Sequence, residues 1–255
     1  MDGLERLVRN AESLVQEGYY GVTQTIPRSP SFMEFFGVAE TSSRVIAEIK
    51  FASQSMNSGK PPAAFDGILN AIVAARPLGL SILAEPRIFG GHLDYVRRAA
   101  ATGLPVLVKD VVVDFVQIDA AAASGASAVL LIQAIDSKGL LSQPMQTLID
   151  AAHDRDLDVV LEVHTPEEWD AAATTDADIL GINNRDLSTM EVDLLTTPHL
   201  LSSRLKDRPV IAMSGIERRD QVEAMLNAGV DAVLVGTSIM SDPNPARKLE
   251  ELLHG

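Results

Sequence analysis

"PVLVKDVVVDFVQIDAAAASGASAVLLIQ", residues 105–133, is one unit of a repeating pattern. It opens with a short β-branched run, passes through a longer amphipathic stretch ending in Ser-Gly, and returns to a second short apolar run. Short apolar runs bounded by turn residues read as strands, and the longer stretch reads as a helix closed by a glycine cap. Two strands joined by a helix run parallel, because only a long crossover can return the chain to the same end of a sheet. Outward from this unit the alternation continues in both directions. The short runs are "VIAEIK" at 45, "GLSILA" at 79, "VLVKDV" at 106, "AVLLIQ" at 128, "VVLEVH" at 159, "DILGIN" at 178, "VIAMSG" at 210 and "AVLVGT" at 232. Helical patterns such as "HLDYVRRAAATG", "TPEEWDAAATT" and "RRDQVEAMLNAG" lie between them. Eight near-equal units predict a closed (β/α)8 TIM barrel. An open doubly wound sheet is the rival, and no Gly-rich fingerprint follows the first strand to favour it. Residues 1–44, with the helical stretches "LERLVRNAESLVQEG" and "SPSFMEFFGVAE", are expected to form an N-terminal helical cap on a single barrel domain spanning 1–255.

Composition narrows the function. The chain carries 21 Lys and Arg against 35 Asp and Glu, a formal charge of −14, which argues against a nucleic-acid binder because phosphate backbones demand clustered cations. No run approaches the length of a membrane helix, and "MDGLERLVRN" lacks the basic-then-apolar order of a secretory signal. A soluble cytoplasmic protein is expected, with no membrane partner and with a monomer favoured. With no cysteine and five scattered histidines, neither a thiolate nucleophile nor a thiolate metal site is available, so no metal is expected. Any anionic ligand must be held locally against the net charge.

Glu48 and Lys50 are two residues apart on the first strand, so their side chains share a face. An ionised group taken out of water costs several kcal/mol or so unless paired or used, and an exposed edge strand or a structural ion pair is the plain alternative. The barrel changes that balance, since its active sites lie at the carboxyl ends of the strands. Lys109 ends the third strand, Glu162 the fifth, and Asn183 with Arg185 the sixth. Strands seven and eight end in "SGI" and "GTS", where Gly215 and Gly236 would let backbone N–H groups approach a phosphate.

These residues resemble the indole-3-glycerol phosphate synthase family, over nearly the whole chain. The likeness rests on "IAEIKFASQS", "GLSILAEPRIFGG", "PVLVKDVVVDFVQIDAA", "LEVHTPEE", "GINNRDL", "MSGI" and "LVGTSIM", in the family's order and spacing. The resemblance implies a cofactor-free carbon–carbon lyase of tryptophan biosynthesis, a carboxy-lyase that closes and decarboxylates an anthranilate-derived ribulose phosphate. It casts Lys109 as general acid for ring closure and Glu162 as the base that helps expel water. Glu48 and Lys50 would be the charged pair that positions substrate, Asn183 would orient sugar hydroxyls, and Arg185 would brace the site. Leu131 and Met213 fall among the substrate contacts, and Ser53, Ser214, Gly215, Gly236 and Thr237 would hold phosphate.

Five positions depart from the family pattern. Met213 stands where a glutamate is usual, Gln54 for a proline, Phe51 for a base, Ala84 for threonine and Val111 for an aromatic. Such changes at the rim would also suit a remodelled barrel using Glu162 or Glu48 for an unnatural proton abstraction, lined by Phe51, Met56 and Met213. A phosphate-ligand binding protein without turnover is the third reading. His164 is expected to pack or cap, Trp169 to pack its helix on the barrel, "SFMEFF" to cover a barrel end, and "KLEELLHG" to close the chain as a solvated helix.

Overall fold

The computed structural model describes residues 2–22, 24–36, 44–53, 56–57 and 60–255, the side chains of Ser53, Met56 and Asn57 excepted. Eight parallel strands close into a barrel: β1 (Val45–Ile49), β2 (Gly79–Leu83), β3 (Val106–Lys109), β4 (Ala128–Ile132), β5 (Asp158–Val163), β6 (Ile179–Asn183), β7 (Val210–Met213) and β8 (Ala232–Val235). Each pairs with its sequence neighbours, and β8 returns to β1 through Val45↔Val233, Ile46↔Leu234 and Ala47↔Val235. Every strand run read from the sequence is present, and the open sheet is excluded by that closing ladder.

The strands read as near-continuous apolar runs because both faces are covered. Alternate residues belong to two separate cores. Val45, Ala47, Leu80, Ile82, Val129, Leu131, Val159 and Leu161 pack outward with the helical layer, around Trp169 and Ile118. Ile46, Leu107, Leu130, Val160, Ile179, Ile211, Met213 and Leu234 fill the barrel interior. Followed around the ring, the strand registers bring Glu48 of β1, Lys109 of β3, Glu162 of β5 and Met213 of β7 to one level, the layer of four that alternate strands supply in such barrels.

Sequence signals fix the helix ends. Asp114 and Thr165 form capping boxes for Phe115–Ala123 and Pro166–Ala172. The expected final helix runs Pro245–His254, but it is not simply solvated, since Leu249, Leu252 and Leu253 are buried. A short antiparallel ladder, Ala52–Ser53 with Met56–Asn57, follows β1.

The N-terminal region serves both ends of the barrel, whereas the sequence suggested one cap. Helix α1 (Gly3–Gln16) starts in a capping box of Asp2 and Glu5 and buries Leu4, Leu7, Val8, Ala11 and Leu14. It lies at the carboxyl mouth: Asn10 donates to Glu85 after β2 at 2.9 Å, and Lys138 after β4 binds Asp2 at 2.5 Å and Ser188 after β6 at 2.7 Å. Helix α2 (Phe32–Phe36) plugs the opposite end, with the Phe32 ring over Gly79 at the start of β2. There Ser31 and the Phe32 N–H donate to Asp158, at the start of β5, at 2.6 and 2.9 Å.

Candidate active site

A cavity of about 440 Å³ opens at the carboxyl ends of the strands. Glu48, Lys50, Lys109, Glu162, Asn183, Arg185, Met213, Ser214, Gly215, Gly236 and Thr237 all line it, so the rim residues taken from six different strand ends converge on one space. Lys50 Nζ lies 2.7 Å from Glu48 Oε1, and Lys109 Nζ lies 3.4 Å from Glu162 Oε2. Glu48 and Glu162 are each only 3% exposed. Asn183 donates to the other oxygen of Glu162 at 2.7 Å, and its own side-chain amide oxygen accepts from the Arg185 N–H at 2.9 Å. Arg185 reaches back to the Met190 carbonyl at 2.9 Å and braces the loop after β6.

Charge sets the ionisation here. Burial alone would push the Glu48 carboxyl up, but the Lys50 and Lys109 ammonium groups outweigh it and hold the carboxyl below its ordinary value. Burial would likewise depress Lys109, yet Glu162 and then Glu48 raise it above the usual lysine value. The site therefore keeps a charged proton donor next to a carboxylate inside the cavity, the arrangement needed for general acid–base work.

Ser214 and Gly215 both adopt left-handed backbone, with φ of 70° and 79°. A side chain at Gly215 would also run into Val192, 2.5 Å from the added carbon. A non-glycine residue held in that region is strain of the sort found at ligand sites. Gly236 has a different reason to be small: a methyl there would collide with the Glu48 carboxylate, which packs directly against it.

Leu131 is not a cavity residue. Successive side chains on a strand alternate, so Leu130 and Ile132 line the pocket while Leu131 is buried in the outer core. Of the four departures among the described residues, only Val111 and Met213 face the cavity. Phe51 turns away and packs on Tyr95 with ring centroids 5.8 Å apart, and Ala84 is buried in the same outer core. Gln54 and the Ser53 and Met56 side chains lie outside the described residues. Among the described side chains invoked for a remodelled barrel, Met213 alone lines the cavity, where it sits over Gly181.

Other cavity residues carried no assigned role in the sequence: Leu7 from α1, Phe89, Asp110, and the wall of Leu187, Met190, Val192 and Leu194 after β6. The apolar stripe of α1 signalled a buried face without saying what it covers. His164 stays out of the cavity, as expected, and its Nδ1 meets the Asn183 carbonyl at 2.7 Å.

A closed barrel whose charged side chains gather at the carboxyl rim has the site architecture of the (β/α)8 class. Residues 7–252 match the profile of the indole-3-glycerol phosphate synthase family. An indole-3-glycerol phosphate synthase from Methanocaldococcus jannaschii is 38% identical over 216 residues, covering 84% of this chain and 79% of that protein. One from Lactiplantibacillus plantarum is 38% identical over 221 residues, covering 86% and 83%. The chain belongs to the indole-3-glycerol phosphate synthase family. Among solved structures, 3-hexulose-6-phosphate synthase from Salmonella typhimurium superposes with a TM-score of 0.64 at 16% identity, over 82% of this chain and 96% of that one, a likeness of fold alone.

Proposed function

We propose that the chain is an indole-3-glycerol phosphate synthase, a carboxy-lyase converting 1-(2-carboxyphenylamino)-1-deoxyribulose 5-phosphate to indole-3-glycerol phosphate, carbon dioxide and water. The observation that carries this reading is the Lys109–Glu162 pair inside the cavity, beside the Glu48–Lys50 pair, in a chain of this family. The aryl carbon bearing the carboxylate attacks the ketone carbon, and the ketone oxygen takes a proton from Lys109. The carboxylate then leaves as carbon dioxide, its bonding electrons returning to the ring. The new hydroxyl takes a proton from solvent and departs as water while Glu162 accepts a proton from the carbon beside nitrogen, which completes the indole, and Glu162 returns that proton to Lys109 beside it. Donor, acceptor and fixed positive charge suffice for these steps, with no external cofactor.

Glu48 and Lys50 position the substrate, Asn183 orients the sugar hydroxyls, and Ser214, Gly215, Gly236 and Thr237 with Ser53 hold the phosphate. The apolar wall of Leu7, Val111, Leu130 and Leu187 suits the aryl ring. In the same proposal residues 1–255 form one barrel domain, capped by 1–44, and act as a cytoplasmic monomer. Incubating the purified protein with the ribulose phosphate tests the reading: indole absorbance and carbon dioxide should appear together. Binding without turnover would instead favour the phosphate-ligand binding protein, and benzisoxazole opening without synthase activity the remodelled barrel.

A further inference from the structure

Lys109 is not fixed by its ion pair alone. At 3.4 Å its contact with Glu162 is long for a charge-assisted bond, which usually closes to about 2.7–2.9 Å. The next residue is held far more tightly. Asp110 is 4% exposed, and among the described residues no cation lies within ion-pair distance of it. Both carboxylate oxygens are engaged: the buried Tyr20 hydroxyl donates to Oδ2 at 2.8 Å, and the Val111 N–H donates to Oδ1 at 2.7 Å. Gln117 continues the lattice, donating to the Val111 carbonyl at 2.8 Å and accepting from the Val113 N–H at 2.8 Å. The backbone leaving β3 is thereby clamped from the segment after α1 on one side and from the following helix on the other. Lys109 itself closes the strand by accepting from the Ala84 N–H at 3.2 Å.

We infer that Tyr20 and Asp110 form a positioning pair for Lys109: the phenol pins the Asp110 carboxylate, which fixes the backbone from which the Lys109 ammonium projects into the cavity. A packing role alone would not call for a buried carboxylate lacking a cation, since an amide could meet the same N–H more cheaply. Burial pushes the Asp110 carboxyl up to about 7, so the molecule carries a real cost at this position. The kinetic consequence rests on the proposed synthase reading, whereas the geometric one does not.

The test compares the full-length protein with Tyr20→Phe and Asp110→Asn, using Tyr95→Phe as a control whose ring stacks on Phe65 away from the cavity. Two readouts are taken: steady-state kinetics with the ribulose phosphate, and the Lys109 ammonium resonance by nitrogen-15 NMR without substrate. Both variants should lower kcat about tenfold with KM held within about twofold, the signature of a lost transition-state alignment. They should also shift the Lys109 resonance, which the control leaves in place. Lower thermal stability with kcat, KM and the resonance all unchanged would make the pair merely structural and overturn the inference. A shifted resonance in a protein without synthase activity would support the positioning pair and overturn the functional reading instead.

Discussion

Lys109 and Glu162 meet in the cavity, where the Glu162 carboxylate is the first of the two that raise the lysine above its usual value against the effect of burial. Lys109→Ala should lower kcat by about a hundredfold or more, the usual scale of a positioned acid, while leaving the fold intact. Near-normal turnover in that variant would remove Lys109 from the chemistry. Glu162→Gln keeps the shape and an acceptor for Asn183 but removes the proton acceptor, so kcat should fall more than affinity does. It also removes the leading carboxylate that raises Lys109, and the alkaline limb of the pH–rate profile should therefore move to lower pH. A limb that stays in place would show that Lys109 is not the group that must remain protonated. Met213 occupies the fourth place in the interior layer whose other members are Glu48, Lys109 and Glu162. A thioether can accept no proton and balance no charge there. Met213→Glu should raise synthase turnover about tenfold, on the order of 1.4 kcal/mol of transition-state stabilisation. Loss of all activity would mean that the methionine belongs to a different pocket chemistry.

Elements decide which of these residues can meet. The strand runs were legible because both faces are covered and the runs are short, and the rim residues were legible because each stands at a strand's carboxyl end. Side-chain parity was the weak point. The sequence pattern puts Leu131 in the site, although its neighbours Leu130 and Ile132 occupy it, and puts Phe51 at the rim, although it packs outward on Tyr95. The partners of α1 were not legible at all, because no local pattern shows that residues 7 and 10 reach loops some 75 residues or more away, as Asn10 does to Glu85. Gly236 shows the same limit. From sequence it reads as a glycine that frees N–H groups for an anion, and in the structure it also makes room for the Glu48 carboxylate. Gly236→Ala should displace Glu48 from its 2.7 Å contact with Lys50, raise the inhibition constant of inorganic phosphate, and lower kcat together. Equal phosphate inhibition in both proteins would place the anion elsewhere.

At the scale of the whole molecule, a chain with formal charge −14 has stabilities tied to buried carboxylates that titrate in opposite senses. Glu48 is held below its ordinary value, so its contribution is present above that value and is lost as acid protonates it. Asp110 runs the other way. Its folded value of about 7 lies above the ordinary carboxyl value of 3.8, so the folded state binds its proton more tightly than the unfolded chain. Stability from this group is full below the ordinary value, declines as pH rises towards 7, and is level above it. Asp110→Asn replaces the titrating acid by a neutral group of the same size and removes that decline. Each pH unit of differential binding is worth about 1.4 kcal/mol, so between pH 5 and pH 8 the variant should gain on the parent by roughly 2–3 kcal/mol. Denaturant unfolding of both proteins at the two pH values measures this as a difference of differences, in which the lost hydrogen bond and every other titrating group cancel. A variant offset that is the same at pH 5 and pH 8 would show that Asp110 is ionised throughout, held by its two donors despite burial. Tyr20→Phe separates the cases: with the phenol gone the carboxyl should rise further, and the parent's decline should extend to higher pH.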